Sequence, residues 1–271
     1  MHQARKRFGQ HFLHDESVLS RLTERLALNT GDQVLEIGPG RGALTEILCS
    51  ELNELTAIEI DRDLVPLLRA RFSNLTVIEA DVLKVDFKAL LSEVAVRGTD
   101  TGTETGSRNK WRIVGNLPYN ISTPLLDLLI AQAANIRDMH FMLQKEVVNR
   151  LSAEPGGKSW GRLGIMIQYH CKISPLFDVP PESFTPPPKV DSAIVRLEPY
   201  TRELIADNYA VFKQVVRLVF TQRRKTLRNA LKTLLDSEQI AQSPFDLTVR
   251  PERLSLDEFI HLANWVNGLG D

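Results

Sequence analysis

Val34-Leu35-Glu36-Ile37-Gly38-Pro39-Gly40-Arg41-Gly42 is a short apolar run that stops on three alternating glycines, and a helix-like stretch, Ala43 to Leu52, follows it. A buried strand that turns tightly into a helix is the opening of a parallel unit. The same succession continues with a strand at Leu55 to Ile60, a helix at Leu64 to Phe72 and a strand at Thr76 to Glu79. Such alternation implies a parallel sheet with helices on both faces. Upstream, apolar residues at helical spacing from Val18 to Leu28 predict a helix stopped by Gly31. Downstream the pattern predicts strands at Arg112 to Gly115, Met139 to Leu143, Ile165 to Ile173 and Ser192 to Leu197, with helices at Pro124 to Ala134 and Glu146 to Leu151. Gly98 to Asn109 holds no apolar residue and reads as a mobile loop. Beyond Pro199 only helical signals remain, at Tyr209 to Leu235 and Leu256 to Val266, so a Rossmann-like domain over 1–200 and a small all-helical domain over 201–271 are expected.

Composition narrows the function classes. With 271 residues, 43% hydrophobic and 25% charged, the chain is globular rather than disordered. Its 33 basic and 34 acidic residues give a net charge of −1, so any nucleic-acid surface must be local. Cys49 and Cys171 are too few for a disulfide framework, no metal is expected, and nothing reads as a signal peptide or a spanning helix. A cytoplasmic protein without membrane contact is the expectation.

In a doubly wound sheet the glycine turn lies at the carboxyl ends of the strands, where ligands bind and glycine lets the backbone approach them. Gly-Pro-Gly-Arg-Gly departs from the dinucleotide pattern, and the carboxylate of Glu36 would oppose a pyrophosphate. That disfavours a nicotinamide dinucleotide and suits a cofactor with a cationic end, such as S-adenosylmethionine. Glu59, 21 positions after Gly38, ends the second strand, where a carboxylate can accept both ribose hydroxyls. Asp81 follows the third strand, placed to accept from an adenine amine. Either carboxylate alone is equally well a helix cap.

Asn116-Leu117-Pro118-Tyr119 follows the fourth strand and resembles the signature of methyltransferases that modify exocyclic amino nitrogens. An adenine amine is a poor nucleophile because its lone pair is delocalised into the ring, so positioning is the main lever. The Asn116 amide oxygen and the Leu117 carbonyl can accept its two hydrogens, while Tyr119 stacks on the base. Phe184, in the proline-rich Phe184-Thr185-Pro186-Pro187-Pro188, is a second wall for that base or an ordinary aromatic plug. Between Lys213 and Lys232 lie seven basic and no acidic residues; Lys213, Arg217, Arg224 and Arg228 share one face if the segment stays helical. Arg223, Arg224, Lys225 and Arg228 are the candidate RNA contacts, against the plainer reading of a solvated face.

Arg7 to Leu13, Glu36 to Gly40, Gly115 to Thr123, His140 to Arg150, Phe184 to Arg196 and Gln222 to Asn229 together resemble the bacterial small-subunit (16S) rRNA adenine dimethyltransferase family over nearly the whole chain. The resemblance implies a class I S-adenosylmethionine-dependent methyltransferase fold with a mostly parallel seven-stranded sheet. It implies cofactor contacts at His11, Leu13, Gly38, Glu59, Asp81 and Asn116, with Asn116, Leu117, Pro118, Tyr119 and Phe184 handling the target base. The implied reaction is N6,N6-dimethylation of two adjacent adenosines in the 3′-terminal hairpin loop of small-subunit rRNA, on an immature 30S particle, by a chain expected to be a monomer. Two departures stand out: His11 occupies a position where Asn is usual in the family, and Gly98 to Asn109 is an insertion. The rivals are a large-subunit rRNA methyltransferase of the resistance type, a non-catalytic assembly factor on the same fold and a DNA adenine methyltransferase.

Overall fold

The computed structural model describes residues 10–92, 110–118, 120–201, 205–222 and 224–269. Tyr119, Arg223 and the segment Gly98 to Asn109 lie outside them. In chain order, β1 (Phe12–Leu13) and α1 (Glu16–Leu26) precede β2 (Val34–Ile37), α2 (Ala43–Glu51), β3 (Leu55–Glu59), α3 (Val65–Arg71), β4 (Leu75–Glu79) and α4 (Phe87–Ser92). Then come β5 (Trp111–Asn116), α5 (Ser122–Ile130), β6 (Ile136–Gln144), α6 (Lys145–Leu151), α7 (Arg162–His170), β7 (Cys171–Val179), β8 (Phe184–Thr185) and β9 (Ser192–Pro199). The remaining elements are helical: α8 (Tyr209–Thr221), α9 (Leu227–Leu231), α10 (Ser237–Ala241) and α11 (Leu256–Gly268). None of the described helices is long and apolar enough to cross a membrane.

The seven-stranded sheet runs β4-β3-β2-β5-β6-β9-β7, parallel from β4 to β6, and β9 is the strand that runs against its neighbours. Every residue of β2 is buried, as is β5 up to Asn116, which is why both read as continuous apolar runs. The chain winds outward from β2 to β4 and returns to β5 on the other side of β2. That reversal opens a crevice at the carboxyl ends of β2 and β5. Gly115 permits the two strands to lie this close, because a Cβ there would meet the Ile37 carbonyl at 2.6 Å.

The opposite ends of the same strands are locked by charge. Arg112 uses all five of its N–H donors: Nε and Nη2 grip Asp138 at 2.9 and 3.0 Å, Nη1 reaches Asp32 at 2.9 Å, and the remaining two go to the Leu26 and Ala27 carbonyls. Arg137 and Arg196 add ion pairs to Asp32 and Asp138. Burial pushes the Asp138 carboxyl up, but the Arg112 hydrogen bonds and charge overcome it and hold the group below the ordinary range.

By contacts, the chain divides into Met1–Val148 with Cys171–Tyr200, and Asn149–His170 with Thr201–Asp271. One boundary thus falls after Tyr200, and 149–170, placed by the sequence reading in the first domain, groups with the second unit. In that second unit Trp160 is buried and donates Nε1–H to the Leu254 carbonyl, and Phe212, Val215, Val216 and Val219 of α8 pack with Phe259 and Leu262 of α11.

Three local expectations are corrected. Ile165 to Ile173 is not one strand: α7 continues to His170 and β7 begins at Cys171. Leu163 to Ile167 and Tyr169 to His170 are all buried, so α7 lacks the polar face that marks a helix in sequence. Tyr209 to Leu235 is not one helix, since α8 ends at Thr221 and α9 starts after a new cap at Thr226. The single basic face therefore does not form: Lys213 and Arg217 lie on α8, Arg224 and Lys225 in the connection and Arg228 on α9, all exposed. Finally, α1 ends at Leu26 rather than Leu28, with Ala27 in the left-handed conformation and its N–H returning to Thr23.

Candidate functional site

A cavity of about 370 Å³ occupies the crevice, lined by the glycine turn, by the ends of β3 and β5, by the residues after β4, and by 10–13 of the N-terminal segment. Gly38, Gly40 and Gly42 all have positive φ (70°, 57° and 84°), which coils the turn tightly enough to aim backbone at the cavity. At Gly38 an added Cβ would meet only the Asn116 carbonyl, at 4.0 Å, so a side chain there would project into the crevice. At Gly40 it would meet the Phe12 ring at 3.0 Å.

Glu59 ends β3 with its carboxyl 3% exposed, accepting the Gly40 N–H at 3.0 Å and the Asp61 N–H at 2.8 Å. Burial raises its pKa against those two bonds. Glu36 is also buried in the wall and accepts from the Thr45 hydroxyl at 2.8 Å. Burial pushes its carboxyl up to about 8, with the Thr45 bond opposing and the charge of Glu59 adding. Asp81 is half-buried at the rim, where one oxygen caps the short turn Val82–Lys84 through the Leu83 N–H at 3.1 Å. The cap reading of Asp81 and its place on the cavity both hold.

Asn116 donates Nδ2–H to the His11 carbonyl at 2.8 Å. A carbonyl can only accept, so this bond fixes which way the amide faces and leaves its oxygen as the group's acceptor. Leu117 donates its N–H to Met142 at 3.1 Å. The Pro118 carbonyl is taken by the Ile121 N–H and the Ser122 hydroxyl at the start of α5. Among the described residues no donor engages the Leu117 carbonyl. Two acceptors thus sit at neighbouring positions on the cavity wall.

The N-terminal segment is tied down across the crevice mouth. β1 pairs antiparallel with β8, Leu13 opposite Phe184 and Phe12 opposite Thr185. His11 Nδ1 lies 2.7 Å from the Pro186 carbonyl, so the imidazole of this residue is engaged there and its backbone carbonyl serves Asn116. Gln10 donates to Asp61 at 3.1 Å. His11, Leu13, Gly38, Glu59, Asp81, Asn116, Leu117 and Pro118 are therefore brought together. Phe184 is not: it is 3% exposed and packs in the core with Phe12, Val114 and Met142. Sequence reasoning gave no role to Gln10, Ile60 or Met142, which also line the cavity. Ile60 is an exposed apolar residue beside a strand-end carboxylate, a signal present in the sequence.

Residues 1–267 match the family described as ribosomal RNA adenine dimethylase. The chain belongs to that family. It is 51% identical over 267 residues to a Pseudomonas syringae pv. tomato protein named ribosomal RNA small subunit methyltransferase A, covering 97% of this chain and 94% of the relative. The protein of that name from Pseudomonas aeruginosa matches with the same identity and shares. Among solved structures, a dimethyladenosine transferase from Plasmodium falciparum aligns with a TM-score of 0.77 at 26% identity, over 96% of this chain and 98% of that one. The 23S rRNA methyltransferase ErmE aligns at 0.66 and 24% identity, over 94% and 99%, a likeness of fold. The dimethylase is thus an α/β methyltransferase with its cavity at the switch point of the sheet.

Proposed function

We propose that the enzyme dimethylates the N6 amines of two adjacent adenosines in the 3′-terminal hairpin loop of small-subunit rRNA, within the assembling 30S particle, with S-adenosylmethionine as donor. The observation that carries this reading is the Asn116 amide, turned by the His11 carbonyl so that its oxygen stands ready beside a Leu117 carbonyl that no donor engages among the described residues. The curated relatives' names support the small subunit as the source of the RNA.

The cavity suits the donor on chemical grounds. Gly38 leaves an open cradle that a Cβ would fill, and the only charged side chains buried in the wall are carboxyls, Glu36 and Glu59, among the described residues. Carboxyls in such a wall can ionise to meet a cation and offer a phosphate no positive partner. Glu59 would hold the ribose hydroxyls, Asp81 the adenine amine, and Gly38, His11, Leu13 and Asn116 would complete the contacts. When bound, the donor supplies an electrophilic methyl group on a sulfonium.

The protein's own part is orientation. Asn116 Oδ1 and the Leu117 carbonyl accept the two amine hydrogens, which turns the nitrogen lone pair out of conjugation and toward the donor's side of the cavity. Pro118 keeps the Leu117 carbonyl at a fixed angle, because its own carbonyl is anchored to α5. Tyr119 is assigned to stacking on the base. Phe184, buried and paired with Leu13 of β1, supports the strand that follows His11 rather than facing a base. A second methyl requires the monomethyl amine to rotate and offer its remaining hydrogen to the same acceptors.

In the helical unit, Arg224, Lys225 and Arg228 are exposed and, with Arg223, are assigned to rRNA phosphates. Reversing the charge of Arg224 and Lys225 is expected to weaken RNA binding and flatten its salt dependence; unchanged binding at low and moderate salt overturns the assignment. The overall reading is tested by methyl transfer from labelled S-adenosylmethionine to small subunits lacking the dimethyladenosines, beside modified small subunits, large subunits and DNA. About four methyls per unmodified small subunit and none elsewhere is the expected result, from two adenosines taking two methyls each. Label in the large subunit or in DNA would overturn it.

A further inference from the structure

Glu36 is the least expected side chain in the cavity wall. It sits in the middle of a buried parallel strand, where its register partners are Ala57 on β3 and Val114 on β5. It is 2% exposed, and its carboxyl accepts from the hydroxyl of Thr45 on α2. The other titratable groups that bear on it are Glu59, from the end of β3, and Cys49 on α2, whose thiol is itself pushed up to about 11 by burial and by Glu36. Among the described residues no Lys, Arg or His forms an ion pair or hydrogen bond with it. A buried carboxylate without a cation is costly, and such a group keeps its proton instead. Glu36 is therefore neutral in the ligand-free cavity near neutral pH, in keeping with a pKa pushed up to about 8.

That changes when a positive charge enters the cavity. An opposite charge within a few ångströms in a dry site favours the ionised carboxyl. Donor and product carry the same amino-acid ammonium and carboxylate and differ by one positive charge, the sulfonium of the donor against the neutral thioether of the product. We propose that Glu36 reads this difference: it releases its proton when the sulfonium donor binds and remains protonated when the neutral thioether product occupies the same cavity. The inference rests on the assignment of the cavity to S-adenosylmethionine. Its consequence is that donor is preferred over product by a margin that widens as pH rises toward 8, which favours product exchange between the two methylations.

The experiment is titration calorimetry of the whole protein near pH 7 in buffers of different ionisation enthalpy, which counts protons released per ligand bound. S-adenosylmethionine and S-adenosylhomocysteine are each titrated into the wild type and into Glu36→Gln. Subtracting the variant removes the ligands' own ionisation. The expected difference for S-adenosylmethionine is on the order of one proton, and for S-adenosylhomocysteine close to none. Thr45→Val keeps the carboxyl and removes its hydrogen bond, so the pH at which proton release is half-complete is expected to move upward. Proton release that persists in Glu36→Gln, or equal counts for the two ligands, overturns the inference and leaves the cofactor assignment standing. Failure of both ligands to bind the wild type overturns the cofactor assignment itself.

Discussion

The two ends of the central sheet carry buried charge in opposite ways. At the amino-terminal ends of β5 and β6, Arg112 and Asp138 are buried and every donor of the guanidinium is matched. Toward the carboxyl ends of β2 and β3, Glu36 and Glu59 are equally buried but no cation among the described residues pairs with either, and the turn between them is built from glycines at positive φ. Desolvating a charge is costly at either end. Where the charge is met within the chain it serves architecture. Where it is left unmet, a ligand is what completes it, and the fold stores that demand at the switch point of the sheet.

The sharpest way to break this contrast is Arg112→Met, which takes the two-pronged partner from buried Asp138 and leaves it the more exposed Arg196 at 3.2 Å. It is expected to cost about 3–5 kcal/mol of unfolding free energy, measured by denaturant titration. Affinity of the remaining folded protein for S-adenosylhomocysteine should stay within about twofold. A large loss of affinity with stability intact would show that the two ends are not separate in purpose. The mirror experiment is Asn116→Ala, which is expected to lower kcat by roughly 10²–10³, while stability changes by no more than about 1 kcal/mol and S-adenosylhomocysteine still binds. Full methylation by this variant would remove Asn116 from the mechanism.

Two buried titratable groups at one level of the sheet, both in register with Val114, differ in the sign of their pH dependence. His140 lies 3.8 Å from Asp138 with a fully buried side chain, and burial pushes it down to about 4 against the pull of Asp138. The unfolded chain binds this proton near 6.5, so stability is present above that pH and is lost on acidification from about 6.5 to about 4. The whole window is worth ~3 kcal/mol. His140→Leu should flatten that part of a stability–pH curve, and an unchanged slope would assign it elsewhere. Glu36 acts the other way: with its folded pKa raised, its contribution is complete below the unfolded value of about 4.5 and is lost as pH rises through about 8. Glu36→Gln should flatten the decline between about 4.5 and about 8.

How much of this the sequence discloses depends on whether a feature is local. The strand–turn–helix at 34–51 is legible because the apolar run, the glycines and the helix are contiguous, and Glu59, Asp81 and Asn116 follow as the ends of the next strands. The strap made by Gln10 and His11 is not legible, since its partners Asp61, Asn116 and Pro186 lie between 51 and 175 positions away. Nor is α7, whose nearly uniform burial erases helical periodicity. The basic run misleads for another reason. Its Lys, Arg, Gln and Leu residues favour helix and it holds no Gly or Pro, and the break after Thr221 is imposed by packing: the N–H groups of Leu227 and Arg228 bond to the Val249 and Leu247 carbonyls. Phe184 reads as a wall for the base or a plug on a proline-rich loop because the two-residue strand it pairs with comes from the other end of the chain.

The smallest and finest test uses two glycines nine residues apart, one at each end of β2. Gly31, next to Asp32 at the paired end, has nothing within 4 Å of an added Cβ. Gly40, at the cavity end, has φ of 57° and would drive that Cβ to 3.0 Å from Phe12. Gly31→Ala is therefore expected to leave stability within about 0.5 kcal/mol, or to raise it slightly by restricting the unfolded chain. Gly40→Ala should cost roughly 1–2 kcal/mol for the left-handed backbone alone. It should also lower affinity for S-adenosylhomocysteine several-fold, because displacing Phe12 shifts the neighbouring His11 carbonyl that orients Asn116. Thermal melting and ligand titration on both variants separate the two effects. If Gly40→Ala loses stability but keeps affinity, the turn serves only the fold, and the division of labour between the two ends would rest on the carboxyls alone.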